Sequence, residues 1–142
     1  MYELFTDGGA RGNPGPTAIG MVLKSNGQTI IAHSEFIGSK TNNEAEYLAL
    51  IAGLNLAIKH KVTTLQCFLD SKLVVEQING RFKVKEPRMR EMVTKVQDLI
   101  TKIGKVEVTY VPREQNGEAD GLVNVELEKN GFPKSEFKFF KS

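Results

Sequence analysis

The sequence predicts an α/β fold built on a five-stranded mixed β-sheet flanked by helices, with the element order β-β-β-α-β-α-α-β-α. Three consecutive β-rich segments at the start indicate an antiparallel meander, and the later alternation of helix and strand periodicities indicates parallel additions to it. The 142 residues suit one domain, which we expect over residues 1–130. For the C-terminal tail, 131–142, an extra packed strand and a loose segment remain equal alternatives.

The first three strands are expected to lie in the N-terminal forty residues. They are the β-rich segments 2–7, 17–25 and 28–37. The first would end at Asp7, because the following segment, 8–16, is too rich in glycine and proline for a helix or a ladder and indicates a turn. The Asn26-Gly27 pair predicts a tight hairpin between the second and third strands.

Four helices are predicted from apolar residues at helical spacing. They cover about 43–58, 71–79, 87–103 and 115–128. Asn42 or Asn43 is expected to cap the first helix and Ser71 the second, because short polar side chains accept hydrogen bonds from free helical amides. Pro87 suits the first turn of the third helix. The two remaining strands are 64–70, which ends in Asp70, and 106–110.

The composition is that of an ordinary globular protein, with 40% hydrophobic and 25% charged residues. No apolar run approaches the roughly 20 residues needed to cross a bilayer. The N-terminal segment lacks a basic stretch followed by an apolar one, so we expect no signal peptide. The single cysteine, Cys67, cannot form an internal disulfide and is expected to be a buried thiol. These features predict a cytoplasmic protein.

Four of the 17 acidic residues stand in apolar surroundings. Asp7 and Asp70 each follow an apolar strand, where an unpaired carboxylate is costly to desolvate. Glu46 and Asp120 lie near the starts of two helices, beside residues expected to be buried. If the two strands are neighbours, all four carboxylates meet at one edge of the sheet. A helix cap or a turn is the alternative role for each of them taken singly.

Four crowded carboxylates repel one another, so this arrangement needs cations. Ligands that are all oxygen suit hard ions such as Mg²⁺ or Mn²⁺ and do not suit a structural zinc. Two such ions about 4 Å apart catalyse phosphodiester cleavage, one by activating water and the other by stabilising the leaving oxygen.

The motifs that contain these carboxylates resemble those of type 1 ribonucleases H. The similar segments are Thr-Asp-Gly-Gly-Ala-Arg-Gly-Asn-Pro-Gly-Pro at 6–16, Thr-Asn-Asn-Glu-Ala-Glu at 41–46, Leu-Asp-Ser at 69–71 and Asn-Gly-Glu-Ala-Asp at 116–120. They occur in the order and at the spacing of that family, and the resemblance spans about residues 1–128.

The resemblance implies a ribonuclease H-like fold and an endonuclease that hydrolyses the RNA strand of RNA–DNA hybrids, leaving 5′-phosphate and 3′-hydroxyl ends. It implies two Mg²⁺ ions, for which Mn²⁺ can substitute, and four catalytic metal ligands: Asp7, Glu46, Asp70 and Asp120. The first and third would contact both ions. Glu46 would contact one ion and a ribose 2′-hydroxyl, and Asp120 the other ion. We expect a monomer; whether double-stranded RNA is also cut stays open.

Four residues match positions that contact the nucleic acid in that family: Gly8, Asn13, Asn42 and Asn43. Amide side chains both donate and accept hydrogen bonds, so they can bind the 2′-hydroxyl that distinguishes RNA from DNA in the shallow minor groove. For each asparagine, ordinary turn or cap chemistry is the alternative.

A basic segment is the second candidate for substrate binding. Between residues 72 and 90, six basic residues stand against two acidic ones. We expect Lys83 and Lys85 to bind phosphates of the DNA strand, and a solvated surface loop is the alternative.

The sequence departs from the family pattern in three places. The loop before the last motif, 111–115, lacks the histidine that many members carry, and neither His33 nor His60 lies where it would replace it. Arg113 is our hypothesis for an auxiliary electrostatic role in that loop. The basic handle of the bacterial form is also missing. Finally, Gly121 lies within the last helix, where glycine costs about 1 kcal/mol relative to alanine.

Two other function classes are compatible with this fold. One is a hybrid-binding module without catalysis, against which the complete set of four carboxylates argues. The other is a different nuclease, such as a junction resolvase or an exonuclease, against which the asparagine pairs argue. Comparing substrates would separate these classes.

Overall fold

The computed structural model describes residues 1–133, and its element order is the predicted one. The strands are β1 (Tyr2–Ala10), β2 (Gly15–Ser25), β3 (Gln28–Lys40), β4 (Thr64–Leu69) and β5 (Lys105–Tyr110). The helices are α1 (Asn42–Lys59), α2 (Lys72–Ile78), α3 (Pro87–Ile103) and α4 (Gly117–Lys129), with a 3₁₀ turn at Arg113–Gln115 before α4. The alternatives for the tail concern mainly 134–142, which lie outside the described residues.

The strands form one mixed sheet in the order β3-β2-β1-β4-β5, which confirms the predicted fold class. The first three strands are antiparallel, and β4 and β5 run parallel to β1 and to each other. Asn26 and Gly27 both have positive φ, at 51° and 80°, as a two-residue turn of the predicted kind requires. β1 and β4 are neighbours and run parallel, so their carboxyl ends point to the same edge of the sheet.

The sheet is covered on both faces. One face packs against α1, which in turn packs against α3, and the other face packs against α4. The larger core cluster lies on the α1 side and includes Leu4, Tyr47, Leu50, Leu54, Leu65 and Leu69. Cys67 is buried in this cluster as expected, and burial raises the pKa of its thiol. A smaller cluster under α4 contains Ala18, Val123 and Leu127.

The prediction that the first strand ends at Asp7 was wrong, because β1 continues to Ala10. Gly8 and Gly9 pair with Ile19 and Ala18 of β2 instead of forming a turn. The two glycines allow helices to approach both faces of the strand. A side chain at Gly8 would collide with the backbone of α1, and a Cβ atom at Gly9 would lie 3.2 Å from Val123 of α4.

The predicted cap of α1 was also wrong. The cap residue is Thr41, whose hydroxyl accepts a hydrogen bond from the Glu44 amide at 3.2 Å, while the Glu44 carboxylate accepts one from the Thr41 amide at 3.1 Å. Asn42 is the first helical residue, and its side chain accepts a hydrogen bond from the Ala10 amide at 3.2 Å. The predicted cap of α2 was right, since the Ser71 hydroxyl accepts from the Val74 amide at 3.3 Å.

Two further features concern the helices. A Cβ atom at Gly121 would meet no atom within 4 Å, so nothing in the structure explains a glycine there. Among residues 1–133, none of the helices combines the length and the apolar character that crossing a membrane requires.

Candidate active site

Three carboxylates from three different elements meet at the carboxyl-end edge of β1 and β4. Asp7 lies within β1, Glu46 in the second turn of α1, and Asp70 directly after β4. One carboxylate oxygen of each residue lies within 4.8 Å of those of the other two. The parallel register pairs Thr6 with Leu69, so the next residue of each chain segment reaches the same point on the sheet edge.

Glu46 is held in this group by the backbone of β1. The Gly8 amide donates a hydrogen bond to Glu46 Oε1 at 3.0 Å. This contact requires α1 to lie very close to the strand, and the absence of a side chain at Gly8 permits that approach. The Gly8 amide therefore orients an acidic residue, and the assignment of Gly8 to substrate binding stays a prediction.

Asp120 lies beside the three carboxylates but is not one of the mutually close set. It approaches from α4, on the opposite face of the sheet from α1, and two donors hold it. Arg113 Nη2 donates to Asp120 Oδ1 at 3.3 Å, and Asn124 Nδ2 donates to Oδ2 at 3.4 Å. We expected four carboxylates to lie close together. The structure brings three of them into one group, and Asp120 lines the same cleft beside that group.

A cleft of about 340 Å³ opens over all four carboxylates. Its lining residues are Asp7, Gly8, Gly9, Ala10, Arg11, Asn42, Glu46, Asp70, Arg113, Asp120, Val123 and Asn124. The hypothesised auxiliary residue, Arg113, belongs to this cleft, whereas neither His33 nor His60 does. His33 is on β3, and His60 is the C-cap of α1.

The crowding and burial of the carboxylates change their protonation. Burial, together with the charges of Asp70 and Asp120, raises the pKa of Asp7 to about 8, and the Arg113 guanidinium opposes that rise. Burial and the charges of Asp7 and Asp70 also raise the pKa of Glu46 well above its ordinary value. A bound cation would oppose both shifts, because it favours the ionised forms of the carboxylates.

The donor set at this site fits a divalent metal. All the ligand atoms that Asp7, Glu46 and Asp70 offer are carboxylate oxygens, which are the ligands that hard cations prefer. The cluster contains no thiol or imidazole, the ligands that zinc favours. These three residues can therefore hold a metal ion of the Mg²⁺ or Mn²⁺ type.

Asn116 is a site residue that the sequence reasoning missed. It is almost fully buried, and its Nδ2 atom donates to the Thr6 carbonyl at 2.9 Å and to Asp70 Oδ2 at 3.1 Å. The residue stands in the last motif, but a polar residue before a helix is normally interpreted as a cap. In fact its side chain makes no cap hydrogen bond to α4.

Gly20 is a second missed residue, and it determines how closely α4 approaches the sheet. It pairs with Asp7 in the β1–β2 register. A Cβ atom on Gly20 would lie 2.7 Å from the Ala119 carbonyl, so only glycine permits the observed position of α4. Asp120 follows Ala119 and is thereby brought over Asp7. A lone glycine within a β-rich segment was the available signal.

The predicted substrate-binding asparagines lie in the loop after β1 and at the start of α1. The backbone amide of Asn42 donates to Asn13 Oδ1 at 3.0 Å and so joins these two segments. Asn43 is exposed and lies in a neighbouring groove of about 580 Å³ together with Lys83 and Lys85. The structure therefore places one of the asparagines and both lysines on a common surface.

Some basic residues of the segment 72–90 are already paired with carboxylates of the protein. Arg81 forms a two-point ion pair with Glu76 at 2.7 and 2.8 Å, and Arg88 is paired with a carboxylate of α1 at 3.3 Å. Within residues 1–133, Lys83 and Lys85 have no such ion pair, and both line the groove. Lys83 and Lys85 are the basic residues of this segment that line the groove, and their binding of phosphates stays a prediction.

A mixed sheet of this strand order, with carboxylates from β1, α1 and β4 at one edge, defines the ribonuclease H-like class of folds. A family model described as reverse transcriptase-like matches residues 5–125. The crystal structure of RNase H1 from Halobacterium salinarum matches with a TM-score of 0.88 at 37% identity, covering 90% of this chain and 98% of that one. The chain belongs to the type 1 ribonuclease H family.

Two other relatives extend this comparison. LC11-RNase H1, solved in complex with an RNA/DNA hybrid, matches with a TM-score of 0.86 at 38% identity, covering 92% of this chain and 99% of that one. The bifunctional protein Rv2228c of Mycobacterium tuberculosis is 45% identical over 123 residues, which make up 85% of this chain. The chain spans only 34% of the length of that mycobacterial protein.

Proposed function

We propose that this chain is an endonuclease that hydrolyses the RNA strand of RNA–DNA hybrids by two-metal-ion catalysis, leaving 5′-phosphate and 3′-hydroxyl ends. The observation that carries the proposal is the group of Asp7, Glu46 and Asp70, whose carboxylate oxygens lie within 4.8 Å of one another in an open cleft. The hybrid bound to LC11-RNase H1 supports the choice of substrate.

The residues that would hold the metals are the four carboxylates. Asp7 and Asp70 would contact both ions, Glu46 one of them and Asp120 the other. We propose Mg²⁺ as the ion, with Mn²⁺ as a substitute. When bound, such ions activate water and stabilise the leaving oxygen of the phosphodiester.

The chain's own part in the reaction is to orient these ligands. The Gly8 amide holds Glu46, and the Asn116 side chain holds Asp70, each by one hydrogen bond to a single carboxylate oxygen. The other oxygen of each carboxylate stays available to a cation. Arg113, whose side chain is largely exposed next to Asp120, would supply positive charge near the phosphate being cut.

The substrate would lie across the cleft and the neighbouring groove. Asn42 lines the cleft, Asn43 lines the groove, and Asn13 accepts a hydrogen bond from the backbone amide of Asn42. The amide groups of these residues would meet the 2′-hydroxyls of the RNA strand in the minor groove. Lys83 and Lys85 would bind phosphates of the DNA strand in the groove. Binding through phosphates makes the recognition independent of base sequence.

The test is cleavage of an end-labelled RNA–DNA hybrid with and without Mg²⁺, beside branched DNA, double-stranded RNA and single strands. We expect metal-dependent cuts within the RNA strand of the hybrid, with 5′-phosphate and 3′-hydroxyl ends. Binding of the hybrid without cleavage would identify a non-catalytic module. Preferential cleavage of branched DNA or trimming from an end would indicate another nuclease of the same fold.

Three further points remain predictions. We propose that residues 1–130 form the catalytic domain, that the protein acts as a monomer and that it works in the cytoplasm. Size-exclusion chromatography with light scattering tests the oligomeric state, and a truncation after residue 130 tests the boundary. The double-stranded RNA arm of the cleavage assay decides whether that substrate is also cut.

A further inference from the structure

We propose that Asn124, locked in orientation by Arg11, is a positioning residue that presents the Asp120 carboxylate to the metal site. The inference rests on the proposed two-metal function and concerns how the ligand from α4 is held. Neither residue belongs to the four carboxylates, and both line the cleft.

The contact between Asn124 and Asp120 lies along one face of α4. The two residues are four positions apart, so their side chains are neighbours on the helix surface. Asn124 Nδ2 donates to Asp120 Oδ2 at 3.4 Å, while Arg113 Nη2 donates to the other oxygen, Oδ1, at 3.3 Å. Each oxygen of this carboxylate therefore has one donor, and the plane of the carboxylate is constrained from both sides.

Arg11 determines which end of the Asn124 amide faces the carboxylate. A primary amide offers an acceptor oxygen and a donor nitrogen, which a half-turn of the side chain exchanges. The guanidinium of Arg11 can only donate, and its Nη2 atom donates to Asn124 Oδ1 at 2.9 Å. The NH₂ group must then point towards Asp120. Without Arg11, the amide could turn its oxygen towards the carboxylate and repel it.

Arg11 is itself anchored by Phe132, which lies three residues beyond the end of α4. Its Nε atom donates to the Phe132 carbonyl at 3.2 Å. The Phe132 ring stacks on Phe36 of β3, with ring centroids 6.0 Å apart and planes 4° apart. A rigid guanidinium with two bonds of fixed direction is suited to holding an amide in one orientation, and a lysine is not. The chain of contacts thus runs from the end of α4 back to its first turn.

Removing the contact between Arg11 and Asn124 should lower the affinity for the metal and leave the affinity for the hybrid nearly unchanged. Partners that orient a metal ligand typically change metal affinity or activity by about 10- to 100-fold when they are removed. For Asn124→Ala we expect the Mg²⁺ concentration for half-maximal cleavage to rise about tenfold, with little change in the Michaelis constant for the hybrid. Calorimetric titration of the full chain with Mn²⁺, which needs no turnover, should show correspondingly weaker binding.

A matched control lies at the C-terminal end of the same helix. Asn130 also donates to an acidic residue four positions earlier, Glu126, at 2.8 Å to its carbonyl and 3.3 Å to its carboxylate, but it does not line the cleft. Asn130→Ala should keep the wild-type Mg²⁺ requirement and Mn²⁺ affinity. The free energy of unfolding in EDTA should fall by a similar amount in both variants. A change in the metal measurements for Asn124→Ala alone is then an effect on the site and not a general effect on α4.

Variants of Arg11 test the lock independently of Asn124. Arg11→Met keeps the aliphatic stem of the side chain and should show the same raised Mg²⁺ requirement as Asn124→Ala. Arg11→Lys keeps the positive charge but should also require more Mg²⁺ than wild type. The proposal is overturned if Asn124→Ala matches Asn130→Ala in both metal measurements, or if Arg11→Lys behaves as wild type. If the wild-type chain itself neither binds Mn²⁺ nor cleaves the hybrid, the proposed function fails instead.

Discussion

The side-chain amide of Asn116 donates a hydrogen bond of 3.1 Å to the carboxylate of Asp70. The same nitrogen lies 2.9 Å from the Thr6 carbonyl, one residue before Asp7. A single buried amide at the start of α4 therefore ties β1, at the residue before Asp7, to Asp70 directly after β4. The chain segment before α4 thus helps to organise ligands that belong to the sheet.

Replacing Asn116 with leucine should destabilise the protein and impair cleavage. The substitution keeps the branching of the side chain but leaves the Thr6 carbonyl and Asp70 without their donor, which typically costs about 1–3 kcal/mol. We expect urea unfolding in EDTA to show a loss of this size. The exposed amide of Asn130 provides the comparison, because Asn130→Ala should change the free energy of unfolding much less. Equal losses in the two variants would contradict a special role for Asn116.

Asp7→Asn and Asp70→Asn should each abolish cleavage. Each substitution keeps the shape of the side chain but removes a charge from a residue that would contact both ions. Single-turnover cleavage of a labelled hybrid is the measurement, with circular dichroism to show that the variants are folded. Activity within threefold of wild type in either variant would disprove the assignment of that aspartate.

Neutralising one carboxylate should make the metal-free protein more stable. Asp70 lies against Asp7 and Glu46, and its charge contributes to the raised pKa of both. We therefore expect Asp70→Asn to melt at a higher temperature than wild type in EDTA. Mg²⁺ should raise the melting temperature of wild type, because a ligand that binds only the folded state stabilises it by about 2.7 kcal/mol at 100 times its Kd. The opposite pattern, an unresponsive wild type and a less stable variant, would count against a clustered acidic site.

The metal-free protein should lose stability as the pH rises. Asp7 has a pKa of about 8 in the folded protein, against an ordinary value of 3.8, so the folded state keeps a proton that the unfolded state releases. Its contribution is complete below pH 3.8 and is lost as the pH rises towards 8. Urea unfolding in EDTA across this range should show the decline, and Asp7→Asn should flatten it. A stability that increases from pH 5 to pH 8, in wild type and variant alike, would refute this expectation.

Changing Lys83 and Lys85 to alanine should weaken binding of the hybrid. The log–log dependence of affinity on salt should flatten by about one unit per lost phosphate contact, measured between about 50 and 200 mM salt. Arg81→Ala is the matched control, because this arginine belongs to the same segment but is paired with Glu76 and lies outside the groove. If the double lysine variant keeps the wild-type slope, these lysines serve only as a solvated surface and the DNA strand is bound elsewhere.

Local signals in the sequence determined the elements and their order. The Asn26-Gly27 turn, the Ser71 cap and the periodicity of α3 involve residues close together in the chain, and the structure has each of them as predicted. The candidate carboxylates were also chosen from local signals, and their role as metal ligands stays a prediction. An acidic residue next to a buried segment is visible without knowing what it will meet.

Contacts between distant segments were decided only by the tertiary structure. Gly8 and Gly9 resemble turn residues in sequence, but they extend β1 because helices approach both faces of that strand. Thr41 caps α1, while Asn42 is engaged by the amide of Ala10. In each case two or more local choices are similar in energy, and the packing of remote residues selects one of them.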